Sequence, residues 1–314
     1  MKILLTGAFG NLGRSTLDEL LRQGHSVCCF VSRRKAHLRT ARSYGGKIEL
    51  IQGDIREPAD VSEAVQDQDI IIHLAYMLPP YSEERPDLSH AVNIGGTRNL
   101  LTAARGLPRP PRFFFASSFD VFGYTQHLPP PRKITDPVQA TDHYSTHKIA
   151  CEEMVKTSGL EWSIFRFSDI PPLSLRSPHP IMFRIPLATR FEVIHTYDAG
   201  LAIVNGIRCD ETWGKTLLIG GGPTCQILYR DYLERMLEMM GIGMLPESAF
   251  GNDPYCTDWL DSEESQRLLH FQRYSFEDIM QQLTRIVGYK RHLTRLVRPA
   301  ARWWILRMSP FYRT

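Results

Sequence analysis

The chain has 314 residues, 43% apolar and 23% charged, values that suit one enzyme-sized α/β unit with an appended smaller lobe and exclude a disordered chain. Six cysteines, at positions 28, 29, 151, 209, 225 and 256, include no C-x-x-C pair, which argues against a zinc site or disulfide framework and for reduced thiols in a cytoplasmic protein without a structural metal. The formal charge of +3 conceals an asymmetry: Lys290, Arg291, Arg295, Arg298, Arg302, Arg307 and Arg313 have no acid among them, and without these seven the 37 basic residues fall below the 34 acidic ones, a mildly acidic body that argues against nucleic-acid binding.

In chain order, short β-branched and aromatic runs at 2–6, 26–31, 48–52, 69–74, 112–116 and 162–166 read as strands, with helical apolar spacing between them. The first run is too short for a signal peptide and leads straight into a turn. Leu12, Leu17, Leu20 and Leu21 then give one apolar helical face, which Gly24 stops. Such alternation implies βαβ units with right-handed crossovers, hence a Rossmann-type doubly wound parallel sheet with helices on both faces. The expected Rossmann domain is 1–166, also receiving strands near 191–195 and 215–220. Segments 167–190 and 221–288 are expected to form a smaller substrate lobe, with helices at 229–240, 263–269 and 276–287. Loops at 77–86 and 171–186 and the Pro-rich stretch 129–137 are expected at the cleft.

Thr6-Gly7-Ala8-Phe9-Gly10-Asn11-Leu12-Gly13 lies between the first strand and the first helix. Gly7 permits the tight turn, Gly10 lets backbone approach a pyrophosphate and Gly13 allows close helix packing, while the helix N-terminus favours an anion. At the end of the second strand no acid stands ready for the ribose hydroxyls of NAD; Ser32, Arg33 and Arg34 offer donors suited to a 2′-phosphate. NADP is therefore preferred, with NAD as the alternative. Asp54, after the third strand, is placed either at an adenine amino group or as a turn-forming aspartate.

Tyr144 and Lys148 stand four residues apart, on one face of a helix. A nearby ammonium is expected to lower the phenol toward the working pH, so that Tyr144 can exchange a proton with an alcohol or ketone while hydride moves. Ser118, at the end of the fifth strand, is expected to orient the same substrate oxygen.

Taken together, Thr6-Gly7-x-x-Gly10-x-x-Gly13, Gly53-Asp54, His73-Leu74-Ala75, Asn93-Ile94-x-Gly96-Thr97, Ser117-Ser118-x-x-Val121-Phe122-Gly123, Tyr144-x-x-x-Lys148 and Arg166 resemble the extended short-chain dehydrogenase/reductase family, also called the NAD-dependent epimerase/dehydratase family. The resemblance implies that the glycines, with Ala8, Phe9, Asn11 and Leu12, meet the diphosphate, Asp54 and Ile55 the adenine, and Leu74 and Ala75 the inner ribose. Asn93 joins this cofactor-binding set, as do Tyr144 and Lys148, and Ser118, Tyr144 and Lys148 take the catalytic roles. Helix-mediated homodimers are common among such relatives.

The text departs from nucleotide-sugar members at Arg166-Phe167-Ser168-Asp169, where an acid replaces an amide and would repel a substrate diphosphate, and little chain follows before the next strand. Dehydratases of the family carry an acid directly after the serine, where Phe119 stands here. Met77, Tyr81 and Phe119 are the candidates for an apolar substrate wall. In the segment 289–314, Trp303, Trp304 and several leucines interleave with the arginines, and Pro299 divides it. This basic amphipathic tail either touches an anionic membrane surface peripherally or docks on the body with its arginine stems. The reading is an NAD(P)-dependent oxidoreductase acting on a secondary alcohol or ketone of a hydrophobic small molecule; the alternatives are a nucleotide-sugar epimerase and a non-catalytic dinucleotide sensor or assembly factor.

Overall fold

A computed structural model describes residues 1–174 and 178–312; residues 175–177, inside the loop expected at 171–186, and Arg313 and Thr314 of the basic tail lie outside the described residues. The first half alternates β1 (Lys2–Thr6), α1 (Asn11–Arg22), β2 (Ser26–Val31), α2 (Lys35–Arg42), β3 (Glu49–Gln52), α3 (Pro58–Ala64) and β4 (Ile70–His73). Two short helices, α4 (Tyr81–Glu84) and α5 (Pro86–His90), lead through a π turn at Ala91–Gly95 into α6 (Gly96–Arg105). Then come β5 (Arg112–Ser118), α7 (His143–Lys156), β6 (Trp162–Phe167), β7 (Arg190–Glu192), α8 (Thr196–Gly206), β8 (Thr216–Ile219), β9 (Gln226–Leu228) and α9 (Tyr229–Met239). The chain closes with α10 (Glu263–Leu269), α11 (Phe276–Val287), α12 (Lys290–Leu296) and α13 (Arg298–Leu306).

Seven parallel strands form one sheet in the order β3-β2-β1-β4-β5-β6-β8. Because both faces are covered, the strands are apolar on both: Ile3, Leu5 and Phe114 pack into one layer with α1 and α8, and Leu4, Phe113 and Phe115 into the other with α3, α6 and α7. The order reverses between β1 and β4, and the carboxyl ends of such strands open the crevice where open α/β sheets take ligands.

The strand near 191 departs from expectation. It does not join the main sheet; β7 pairs antiparallel with β9 in a separate two-stranded sheet and touches the end of β6 only through a bridge between Asp169 and Val193. The position beside β6 is taken by β8. Buried Glu192 holds β7 in its own place by accepting the backbone N–H of Leu260 at 2.6 Å and of Gly222 at 3.1 Å. Around this small sheet α9, α11 and α13 enclose a second core of Phe183, Phe191, Leu233, Leu237, Ile279, Leu283 and Ile305.

The two helices on one sheet face meet backbone to backbone. A Cβ on Gly200 of α8 would lie 2.7 Å from the carbonyl carbon of Ser15 on α1, an atom that cannot turn aside. Gly200→Ala should therefore cost about 1–3 kcal/mol and lower the thermal midpoint by several degrees; an unchanged midpoint in a melting experiment would contradict this close approach.

Candidate active site

The turn after β1 is built for an anion. Gly7 has φ +69°, and a Cβ there would stand 2.7 Å from the amide nitrogen of Ala75; a Cβ on Gly13 would overlap the Gly7 carbonyl oxygen at 2.0 Å. The turn thus lies directly against the end of β4, at Leu74 and Ala75. The first turn of α1 has no acidic residue, and its N-cap, Gly10, supplies no side-chain hydrogen bond, so the helix dipole acts without a competing anion. These features fit a dinucleotide diphosphate. Ala8 is buried in the core, Leu12 packs partly against it, Phe9 lies beside His37 and Tyr44, and the Asn11 amide donates to the Ile170 carbonyl at 2.9 Å, tying the turn to the chain beyond β6.

Ser32, Arg33 and Arg34 are all exposed at the end of β2. Arg33 pairs with Asp60 at 3.0 Å, and Asp60 also accepts the Asp54 N–H at 2.7 Å. Asp54 itself holds Arg56 through two bonds of 2.9 and 3.0 Å, and that guanidinium keeps its carboxyl below the ordinary range. Ile55 packs against Gly96.

Ser118, Tyr144 and Lys148 are brought together, all three buried. Ser118 ends β5, while Asp142 and Ser145 form a capping box that starts α7 and fixes the first turn carrying Tyr144. Lys148 Nζ donates to the Ala116 carbonyl at 2.6 Å and sits 3.5 Å above the Tyr76 ring and 5.7 Å from that of Tyr144. Tyr76 packs edge-on against Tyr144 at 5.8 Å. The electrostatics differ from those expected of a phenol beside a cation. Burial, then the Asp120 charge, raise Tyr144 above its ordinary value, with a Ser118 hydrogen bond pulling the other way. Burial also pushes Lys148 down to about 7. The phenol is therefore held as a proton donor.

Three positioning groups were not singled out from the residue pattern. Asp120, two residues beyond Ser118, accepts the Ser118 hydroxyl, so the acid absent at Phe119 is supplied one position later. Burial lifts its carboxyl to about 7, the Ser118 bond opposes this, and the charges of Asp142 and Asp169 add to it. Its signal was an acid set in the apolar run Phe119-Asp120-Val121-Phe122. Glu83, from α4, accepts the backbone N–H groups of His143 and Tyr144, each at 3.1 Å, and so ties the loop after β4 to the catalytic helix. Glu152, one turn beyond Lys148, is locked by Arg166 at 2.9 and 2.7 Å and by Ser117 at 2.6 Å. Burial would raise the Glu152 carboxyl, but the guanidinium outweighs it and holds the group below its ordinary value.

Asn93 is fully buried, and its side-chain amide exchanges two hydrogen bonds with the backbone of Met77, at 2.8 and 3.2 Å. It acts through that loop, because its polar atoms are occupied within the protein. Met77 and Phe119 are half-buried, and Tyr81 is 65% exposed.

A model of the NAD dependent epimerase/dehydratase family matches residues 3–172. The chain is 28% identical over 158 residues to the D-erythronate dehydrogenase of Haemophilus influenzae, 49% of either chain. It is 26% identical over 179 residues to a UDP-glucose 4-epimerase of Lactobacillus helveticus, 54% of this chain and 52% of that one. The matches span about half the length of these curated relatives. Among solved structures, the UDP-glucuronic acid 4-epimerase of Bacillus cereus in complex with UDP-glucuronic acid and NAD has a TM-score of 0.76 over 91% of this chain and 99% of that one at 19% identity, a likeness of fold.

The raised Asp120 carboxyl has a stability signature. The unfolded chain loses this proton near pH ~3.9, the folded chain at about 7, so between them the unfolded state carries fewer protons and stability falls as pH rises. Asp120→Asn removes that slope. The thermal midpoint of the variant relative to the unmodified chain should climb from about pH 4 to about 7 and level off above; a pH-independent difference would mean an ordinary carboxylate.

Proposed function

The chain belongs to the NAD dependent epimerase/dehydratase family, and from that premise we propose that it is an NADP-preferring oxidoreductase acting on a secondary alcohol or ketone of a hydrophobic small molecule. The observation that carries the reading is the buried group of Ser118, Tyr144 and Lys148 at the carboxyl edge of the sheet. A nicotinamide dinucleotide held at the turn of Gly7, Gly10 and Gly13 supplies or removes hydride. Tyr144 donates its phenolic proton to the substrate oxygen as charge develops there, or takes it back in the oxidative direction. Ser118 orients that oxygen, and Asp120, bonded to the Ser118 hydroxyl, holds the hydroxyl in place. Lys148, in its protonated form, favours the phenolate side of the exchange.

Two features favour an apolar substrate over a nucleotide sugar. Asp169 is an acid where nucleotide-sugar relatives carry an amide, and its carboxylate would oppose a substrate diphosphate. Leu78 and Tyr81, on the loop that Asn93 and Glu83 hold in place, are 55% and 65% exposed. The epimerase reading keeps two supports, the 26% identity to a UDP-glucose 4-epimerase over 179 residues and the fold likeness to a UDP-glucuronic acid 4-epimerase over 91% of the chain.

At the end of β2 the choice between cofactors falls on Arg34, because Arg33 is already engaged by Asp60 and Arg34 has no ion pair among the described residues. Fluorescence titration should show tighter binding of NADPH than of NADH, and Arg34→Ala should weaken NADPH on the order of tenfold, the value of one charge-assisted bond, without changing NADH. With a panel of hydrophobic ketones, Tyr144→Phe should lower kcat by roughly 10²–10⁴-fold at unchanged cofactor affinity. Preference for NADH together with tight UDP-sugar binding would replace this reading with epimerisation.

A further inference from the structure

The last two helices have two unlike faces. One is docked. Ile305 and Leu306 of α13 are buried in the second core, Arg302 donates to the carbonyl oxygens of Ile242, Gly243 and Met244 at 3.1, 3.0 and 2.6 Å, and Arg298 donates to Ile242 at 2.8 Å. These carbonyls follow the C-terminal end of α9, where the helix dipole favours a cation. The Ser309 hydroxyl adds a bond of 2.5 Å to the Ala249 carbonyl.

The other face is open and apolar. Leu296 is 82% exposed, Tyr289 72%, Val297 57%, and Leu293, Trp303 and Trp304 each more than half. Such a group of large side chains on an anchored helix pair needs an occupant, since isolated exposed apolar residues are ordinary but a cluster is not. Its charge says which one. No acid follows Asp278, and Arg285, Lys290, Arg291, Arg295 and Arg307 have no ion pair among the described residues. Arg307 lies 4.8 Å over the Trp303 ring. Arg285, Arg291 and Arg295 turn the other way, into a cavity of about 440 Å³ that also has Arg235, Glu238 and Glu277 in its lining, so the basic residues beside the open face are Lys290 and Arg307.

We propose that the open face of the α12–α13 pair, centred on Leu293, Leu296, Trp303 and Trp304 and flanked by Lys290 and Arg307, is a docking surface for an anionic lipid bilayer. Tryptophan and tyrosine favour the headgroup layer, and arginines among them meet lipid phosphates. Among the described residues no helix is long and apolar enough to cross a membrane, so the contact is peripheral. A second copy of the chain is a poorer occupant, because a two-fold contact would set this cationic face against itself.

The test is co-sedimentation of the full chain with vesicles of phosphatidylcholine alone and of phosphatidylcholine with phosphatidylserine, read also by tryptophan emission. Binding is expected only with phosphatidylserine, with a blue shift on binding and a loss at high salt. Lys290→Gln with Arg307→Gln should weaken it on the order of tenfold. Trp303→Ser with Trp304→Ser should abolish the shift. All four residues are on the helix pair or at its end and none belongs to the cofactor site, so melting curves and NADPH titration check that the variants fold. Equal binding to both vesicle types, unweakened binding by the Lys290 and Arg307 variant, or no binding at all would overturn the proposal. So would sedimentation equilibrium showing a dimer that the tryptophan variant loses, since this face would then be covered by a second copy.

Discussion

A chain of hydrogen bonds through buried His73 joins the parts on which the rest of the cleft rests. The Thr6 hydroxyl accepts the N–H groups of both Leu74 and Ala75, each at 3.1 Å, so its own proton goes to His73 Nδ1 at 2.8 Å. That leaves Nε2 carrying the imidazole proton toward Thr97 at 3.0 Å, and Thr97 in turn donates to the Asn93 carbonyl at 2.6 Å. The backbone donors at one end thus set the direction of every bond after them. Burial, with the Lys148 charge adding to it, holds the ring neutral with a pKa of about 3, and a proton added at Nδ1 would set two donors against each other. The end of β1, the end of β4 and the start of α6 are fixed relative to one another by this chain, and the Gly7 turn can lie against Ala75 only because they are.

The same low-polarity interior governs the catalytic corner. Tyr144, Lys148 and Asp120 are each driven toward the neutral form by loss of water, and two of them are held by a buried partner: the Ala116 carbonyl for Lys148, the Ser118 hydroxyl for Asp120. Behind them, Glu152 and Arg166 remain charged because they neutralise one another at hydrogen-bonding distance. The corner therefore separates into a charged bracket that braces α7 against β5 and β6, and a set of nearly neutral proton carriers at its open end.

What the residue pattern revealed and what it missed divide along the range of the interactions. β1 and β2 were legible to the residue because parallel strands buried on both faces leave an unbroken apolar run, and Tyr144 and Lys148 were legible because helix geometry converts a spacing of four into a shared face. The separate placement of β7 was not. A three-residue strand carries no period, and its place is fixed by pairing with β9 and by the Glu192 contacts to Leu260 and Gly222, all remote in sequence. Asp120, Glu83 and the Met77 bracing by Asn93 belong to the same class, since each joins segments that meet only after the sheet forms. Burial also reversed the expected sign for Tyr144: spacing shows the ammonium near the phenol, but not how much water both have lost.

The C-terminal helix pair shows why docking and net charge need not compete. A basic segment held to a lobe by carboxylates would lose its charge on docking. Here Arg298 and Arg302 are held instead by the carbonyls that end a helix turn, which satisfy guanidinium donors with partial charges and no counter-ion. The anchor needs only the orphaned carbonyls of Ile242, Gly243 and Met244 and the apolar contact of Ile305 and Leu306. The charges of Arg298 and Arg302 are accordingly kept after docking, and because these anchoring side chains occupy the inner face, Leu293, Leu296, Trp303 and Trp304 are left on the outer one.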